Sequence, residues 1–455
     1  MQIKKTSSKG FGAWLRTITD RSDSAPEGVE ETVKEIVESV RTGGDKALSE
    51  YTKRFDSVNV RVGKSGKGSF EVSRREINAA YNSIPKRDLE VLDTAAERIE
   101  SFHMRLLEDS WSYTDPDGSL LGVMVTPIER AGIYVPGGKA AYPSTVLMNA
   151  IPAGVAGVDE IHMTTPPSPD GINPYVLAAA KLSGVDTVFR VGGAQAIAAL
   201  AYGTESVPAV DKITGPGNIY VATAKRLVFG AVDIDMVAGP SEILIVNDGT
   251  GEPAWMAADL LSQAEHDELA SSVLITTSLK TARAVKLEVE VQLKKLKKRK
   301  IAAESIERYG AIIVAADIKE AVEISNEIAP EHLELFVQRP EELLPAIRNA
   351  GAVFLGANTP EAFGDYLAGP NHTLPTGGTA RFSSPLGVQD FLKRTSIIGF
   401  SEAGLKRFGA KAARFAAIEG LGAHANSVKV RLAGPTTSKK TVPAKKTGPV
   451  KKRKK

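Results

Sequence analysis

Few side chains in this sequence can do chemistry. Six histidines (His103, His162, His266, His332, His372 and His424) occur and cysteine is absent. Disulfides, thiolate zinc sites, iron–sulfur clusters and thiol nucleophiles are therefore excluded, leaving imidazole, carboxylate, amide and hydroxyl groups to carry any reaction. His103 lies in an amphipathic helix pattern and His162 at a strand end, where packed or surface histidines are the ordinary case. Gln263 and His266, in Leu-Leu-Ser-Gln-Ala-Glu-His, are three apart on an expected helix and project from one face. Such a pair is more often solvated than metal-bound, so a metal reading needs further ligands. Asp365 in Phe-Gly-Asp-Tyr and His424 in Gly-Ala-His-Ala are the candidates. Two imidazoles, a carboxylate and an amide oxygen suit Zn²⁺ or a harder divalent ion at an exchangeable site open to substrate. Glu331-His332 follows Ala329-Pro330 and precedes a strand-like run, Leu333 to Val337. An acid beside an imidazole at a strand entrance can divide base duties; a charged pair on a sheet edge fits the same residues.

Glycine-rich turns recur at Val135-Pro-Gly-Gly138, Val191-Gly-Gly-Ala-Gln195, Gly215-Pro-Gly-Asn218 and Ala238-Gly-Pro-Ser241. The first three precede helix patterns, where backbone N–H groups can hold a pyrophosphate. None is a true G-x-G-x-x-G: the nearest, Gly215-Pro-Gly217-Asn-Ile-Tyr220, lacks the third glycine. Tight strand-to-helix connections explain these glycines equally well.

The elements that must position these groups are legible in outline. Val29, Val33, Ile36, Val37 and Val40 recur at helical spacing and stop at Gly43 and Gly44, and Ser73 with Glu76 forms a capping box before Ile77 to Ile84. From residue 120 to 248, strand-like runs (120–125, 132–135, 161–165, 187–191, 243–246) alternate with helix patterns. A second set follows: helix 253–264, strand 272–277, a basic helix near 280–298, strand 311–315, helix 318–328, strand 333–337. Alternation of this kind predicts α/β layers with largely parallel sheets. Beyond Phe382 the pattern is short and helical to Arg431, and from Gly434 onward Lys, Pro, Thr and Ser cannot supply a core, which predicts disorder.

Charge is unevenly distributed. The formal +3 of the 455 residues comes from the last 22, which carry nine Lys or Arg and no acid; without those nine, 48 basic groups face 54 acidic ones, a net −6. Any electrostatic case for nucleic acid rests on that tail alone. No apolar run approaches the roughly 18–20 residues of a membrane span, and Met1 to Ser8 lacks the apolar region of a signal peptide, so a cytoplasmic location is the expectation.

Taken together, five ordered segments resemble the histidinol dehydrogenase family: Gly-Ile-Tyr-Val-Pro-Gly-Gly (132–138), Gly-Gly-Ala-Gln-Ala-Ile-Ala-Ala-Leu-Ala-Tyr-Gly-Thr-Glu-Ser-Val-Pro (192–208), Asp-Leu-Leu-Ser-Gln-Ala-Glu-His (259–266), Ala-Pro-Glu-His-Leu (329–333) and Gly-Pro-Asn-His-Thr-Leu-Pro-Thr (369–376). The resemblance runs to about residue 432. It implies oxidation of L-histidinol to L-histidine with two NAD⁺, through an aldehyde kept in the site. It also implies zinc ligands Gln263, His266, Asp365 and His424, an acid/base pair Glu331 and His332, substrate contacts Ser241 and Glu419, and a cofactor pocket of Tyr134, Gln195 and Asn218. The zinc ligands and His332 are expected to contact substrate too. His372 lies in a family motif and receives no catalytic role.

The fold so implied is two incomplete Rossmann-like α/β domains with small helical N- and C-terminal segments. The expected division is 1–26 helical, 27–130 with 244–381 as a first α/β domain, 131–243 as a second, 382–432 helical, and 433–455 a disordered Lys-rich tail. The resemblance further implies an intertwined homodimer whose site takes Glu419 and His424 from the second subunit. Nucleic acid and membrane partners are not expected, except for polyanions through the basic tail, which lies outside the family pattern. Two rival readings are a same-fold dehydrogenase acting on another amino or sulfonated diol, and a nucleic-acid binder using Lys439 to Lys455. Turnover on histidinol against other diols separates the first; the acidic body, without aromatic–basic interleaving, weighs against the second.

Overall fold

Strands buried on both faces need apolar residues at successive positions, and Ile243-Leu244-Ile245-Val246 meets that demand: the odd-numbered side chains enter one core and the even-numbered the other. A computed structural model describes residues 1–19, 28–63, 65–66, 68–137, 141–237 and 239–434. In chain order the strands are β1 (Gln2–Lys5), β2 (Trp111–Thr114), β3 (Leu120–Pro127), β4 (Arg130–Tyr134), β5 (Glu160–Thr165), β6 (Thr187–Arg190), β7 (Lys212–Thr214), β8 (Asp233–Ile234), β9 (Glu242–Asn247), β10 (Ser271–Thr276), β11 (Gly310–Val314), β12 (His332–Phe336), β13 (Ala352–Leu355) and β14 (Leu392–Gly399).

The chain forms two units. The larger, Met1–Glu108 with Thr126–Lys393, contains two parallel sheets, ordered β6-β5-β4-β7-β8 and β1-β11-β10-β9-β12-β13. Each is doubly wound, with the strand order reversing between β4 and β7 in the first and between β9 and β12 in the second. The expected fold class, two incomplete Rossmann-like layers with helical ends, is what the chain adopts. The smaller unit, residues 109–125 and 394 onward, carries the antiparallel order β14-β3-β2 and two packed helices, Glu402–Ile418 and Gly422–Ala433, where Gly409 faces Leu432.

Several local expectations change. The N-terminal segment contributes the helix Phe11–Thr19 but also β1, which pairs in parallel with β11. The run at 120–125 belongs to the antiparallel sheet, and the segment after Phe382 includes β14. The basic helix near 280–298 is two helices, Leu279–Leu293 and Arg299–Tyr309. Six of the seven residues 294–300 are cationic, and like charges at helical spacing repel. The first helical run does break at Gly43–Gly44: Gly44 leaves the helical region (φ 55, ψ −141), and beyond that kink a further helical stretch continues to Asp56, the Glu205 carboxylate accepting the Asp45 N–H at 2.8 Å. Ser73 caps its helix as expected, Oγ accepting the Glu76 N–H at 3.2 Å.

The expected division joins residues 27–130 to 244–381, whereas the buried side chains group the helices of 29–103 otherwise. Val33, Ile36 and Leu48 share a core with Ile197 and Leu200, and Ile77 and Ile99 share one with Leu147 and Val188, so both sets cover the five-stranded sheet. The Lys-rich tail from residue 435 lies outside the described residues. No helix among the described residues is long and apolar enough to cross a membrane.

Asp56, the last residue of the first long helix, has a buried Oδ2 without a partner among the described residues, and burial pushes its carboxyl up to about 6. The helix C-terminus also disfavours a negative charge there. A folded value above the unfolded one means that the stabilisation is complete below the unfolded value, near 3.8, and is lost as pH rises through about 6. Asp56→Asn should therefore raise the melting temperature at pH 8 while changing it little at pH 4. Equal shifts at the two pH values would contradict this account.

Candidate active site

The segment Ala329-Pro330-Glu331-His332 links a helix to a central strand. Ala329 ends the helix Ile318–Ile328 in a left-handed conformation (φ 54, ψ 61), its N–H bonded to Ser325 O. Pro330 cannot continue the helix, and His332 opens β12, paired with Ile243 of β9 on one side and Ala352 of β13 on the other. Glu331 and His332 are both buried, at 6% and 4% exposure, so the sheet-edge alternative does not apply.

One residue orients both of them. The Glu242 N–H, at the start of β9, donates to Glu331 Oε2 at 2.8 Å, and the Glu242 carbonyl lies 2.9 Å from His332 Nδ1. A carbonyl can only accept, so Nδ1 carries the proton and Nε2 presents its lone pair. That Nε2 stands 3.9 Å from both Glu361 Oε1 and Asp365 Oδ1. Burial pushes the His332 imidazole below its ordinary value, against the opposing pull of Glu361, and so favours the neutral base. Burial also pushes the Glu331 and Asp365 carboxyls well upward; Glu361 adds to both.

Helix Pro253–Ala264 brings Gln263 to the same place, with His266 just beyond its end. Gln263 is 1% exposed. With its amide nitrogen toward Glu361 it donates to Oε1 at 3.1 Å, while its oxygen accepts the Glu242 N–H at 3.2 Å. Turning the amide over sets its oxygen against the Glu361 carboxylate, an arrangement that a cation between them would favour. His266 is exposed at the rim, near enough to His332 and His372 to oppose protonation of either. His372 Nδ1 lies 3.0 Å from the Asp365 carbonyl, and burial, foremost, pushes its imidazole down to about 4.

Of the expected metal ligands, Gln263, His266 and Asp365 belong to the larger unit. His424, and with it Glu419, belongs to the helical pair of the smaller one, where both are exposed. Ser241 is half-buried next to Glu242. Among the described residues, His332, Glu361 and Asp365 form a group whose ligand atoms lie within 4.8 Å of one another. Glu361 escaped the sequence reading. It is 2% exposed, its Oε2 accepts the Ser262 hydroxyl at 2.9 Å, and its N–H donates to Glu334 Oε1 at 3.0 Å. The signal for it was the four-residue spacing from Asp365, which sets both carboxylates on one face of the helix Glu361–Tyr366. Buried acids, an imidazole and an amide oxygen form a donor set that fits a divalent ion such as zinc.

The expected cofactor residues gather at the carboxyl edge of the five-stranded sheet, around its point of strand reversal. Tyr134 ends β4, Gln195 lies in the first turn of the helix Gly193–Tyr202 after β6, and Asn218 caps the helix Ile219–Val228 after β7. The Tyr134 hydroxyl accepts the Gly193 N–H at 3.1 Å, and burial pushes its phenol up to about 12. Gln195 is 1% exposed, and neither end of its amide has a partner among the described residues. A buried amide with both ends unused fits a site that takes a polar ligand, and an edge of this kind is where α/β sheets bind nucleotides. Glu331 and His332, the expected acid/base pair, sit in contrast at the amino edge of the six-stranded sheet. Between these positions, Asn371 and Thr373, on either side of His372, bond to Met148 O and Asn149 of the five-stranded layer.

Known proteins match this chain along nearly its whole length. A family model described as histidinol dehydrogenase matches residues 19–432. Histidinol dehydrogenases of Syntrophotalea carbinolica and Geobacter metallireducens are each 58% identical, over 95% and 94% of this chain and 99% and 98% of their own. The crystal structure of histidinol dehydrogenase from Elizabethkingia anophelis superposes with a TM-score of 0.88 at 37% identity, covering 95% of this chain and 98% of that one. With that agreement in sequence and in fold, the chain belongs to the histidinol dehydrogenase family.

Proposed function

We propose that the chain oxidises L-histidinol to L-histidine in two NAD⁺-dependent steps at a zinc-assisted site, holding the intermediate aldehyde between them. The observation that carries this reading is the double grip of Glu242 on Glu331 and His332, which gives one buried site two bases with separate tasks. In the first step His332 Nε2 takes the hydroxyl proton as the carbinol hydride leaves, yielding the aldehyde. In the second, the Glu331 carboxylate takes a proton from water as its oxygen adds to the aldehyde carbon, and the resulting hydrate anion loses a second hydride to become the acid. No thiol is needed for that oxygen adduct. Tyr134, Gln195 and Asn218 would hold NAD⁺, which when bound supplies the hydride acceptor for both steps. Gln263, His266, Asp365 and His424 would hold the zinc, which when bound supplies a fixed anchor for the imidazole and amino nitrogens of the substrate. Ser241 and Glu419 would contact the substrate, and Glu361 would steady the Gln263 amide.

Under this reading the enzyme is a cytoplasmic homodimer with shared sites. Phe415, Ile418 and Leu421, exposed at 65%, 69% and 43% around Glu419, give the helical pair an apolar surface suited to a second copy. Chelation should abolish turnover and Zn²⁺ should restore it, with two NADH released per histidine. Full activity in metal-free protein, or arrest after one NADH, would reject the assignment.

A further inference from the structure

A buried ion pair lies outside the chemistry described so far. Lys225, in the helix Ile219–Val228, and Asp235, just after β8, have side chains 2% and 1% exposed and form a close salt bridge. Both ends of the pair also hold Gly215. Lys225 Nζ donates to the Gly215 carbonyl at 2.9 Å, and Asp235 Oδ2 accepts the Gly215 N–H at 2.8 Å. The other carboxylate oxygen accepts the Met236 N–H at 2.6 Å. Gly215 has φ 111, and a Cβ there would overlap the Tyr134 carbonyl oxygen. Three residues later Asn218 caps the next helix, its Oδ1 accepting the Tyr220 and Val221 N–H groups at 3.1 and 3.2 Å.

Removing two charges from water is costly, and a buried pair is weak grounds for a stabilising role. What this pair does geometrically is fix both hydrogen-bonding groups of Gly215, the residue that lies against the Tyr134 backbone and opens the loop of Asn218. We infer that Lys225 and Asp235 are positioning residues for the nicotinamide cofactor: they clamp the Gly215-Pro-Gly-Asn218 loop so that Tyr134 and Asn218 keep a fixed spacing at the sheet edge. The inference rests on the cofactor pocket proposed above. Neither residue touches the cofactor; both act through the Gly215 backbone.

The test is steady-state kinetics on the zinc-loaded, full-length enzyme with NAD⁺ and histidinol varied separately, alongside direct titration of NAD⁺ binding and thermal melts. Lys225→Met should raise the KM and Kd for NAD⁺ about tenfold, with kcat and the KM for histidinol within about twofold, as expected when binding is lost equally in the ground and transition states. Asp235→Asn keeps the shape with the charge removed, and it gives the same readout if Lys225→Met does not fold. Lys212→Met is the control. Its partner Asp233, 2.7 Å away, also ties β7 to β8, but neither residue holds Gly215. That variant should lower the melting temperature without moving the KM for NAD⁺. If Lys225→Met and Asp235→Asn behave as Lys212→Met does, while Gln195→Ala weakens NAD⁺ binding, the clamp is overturned and the pocket stands. If Gln195→Ala leaves NAD⁺ binding unchanged, the pocket reading falls and the clamp falls with it.

Discussion

Glu331→Gln is expected to slow oxidation of supplied histidinal by roughly 10²–10⁴-fold, the usual contribution of a general base, and to slow oxidation of histidinol to the aldehyde far less. Glutamine can still accept the Glu242 N–H but cannot take a proton from water, so the fold should survive while base strength is lost. His332→Asn reverses the emphasis and should impair the alcohol step more. The measurement is single-turnover NADH formation from each substrate, which separates half-reactions that steady-state rates merge. Losses below about threefold in both would remove these residues from the catalytic role.

The second large effect is a recovery. His266→Ala and His424→Ala should each be inactive, since each removes one expected ligand. If a site is built from the larger unit of one chain and the helical pair of another, mixed dimers place both lesions in one site and leave the other intact. Refolding the two variants together at equal amounts makes half of the dimers mixed, so activity should return to about a quarter of wild type. Demonstrated subunit exchange with no recovery would reject the shared site and leave the dehydrogenase assignment in place.

The parts legible in the sequence are those where burial leaves a pattern. β9, β10 and β12 are buried on both faces, so their runs were readable to within about one residue, and the helices 253–264 and 318–328 matched at both ends. Six strands escaped, β2, β7, β8 and β13 among them; the clearest cases are β1, a four-residue edge strand ending in two lysines, and β14, which carries Lys393 and Arg394. Edge strands commonly carry charge, which erases the apolar alternation that would announce them. The helices of 29–103 were visible, but their choice of sheet depends on contacts far apart in sequence. At the site, Glu331, His332 and the expected metal ligands could be named through their motifs. Glu361 was one acid among many, and the orphaned amide of Gln195 is a property of its surroundings alone.

The bonds that aim Glu331 and His332 come from main-chain atoms of residue 242, so most exchanges of the side chain there leave both bonds available. An alanine scan would pass over the position and report it as unimportant for aim. Proline is the exception, because it lacks the N–H that Glu331 requires. The aim of Glu331 and His332 is thus written in the register between β9 and β12, where His332 lies opposite Ile243, and a slip of one residue would turn every side chain of β12 to the opposite face. Backbone-directed probes, such as an ester in place of the amide at 242, would reach what side-chain replacement cannot.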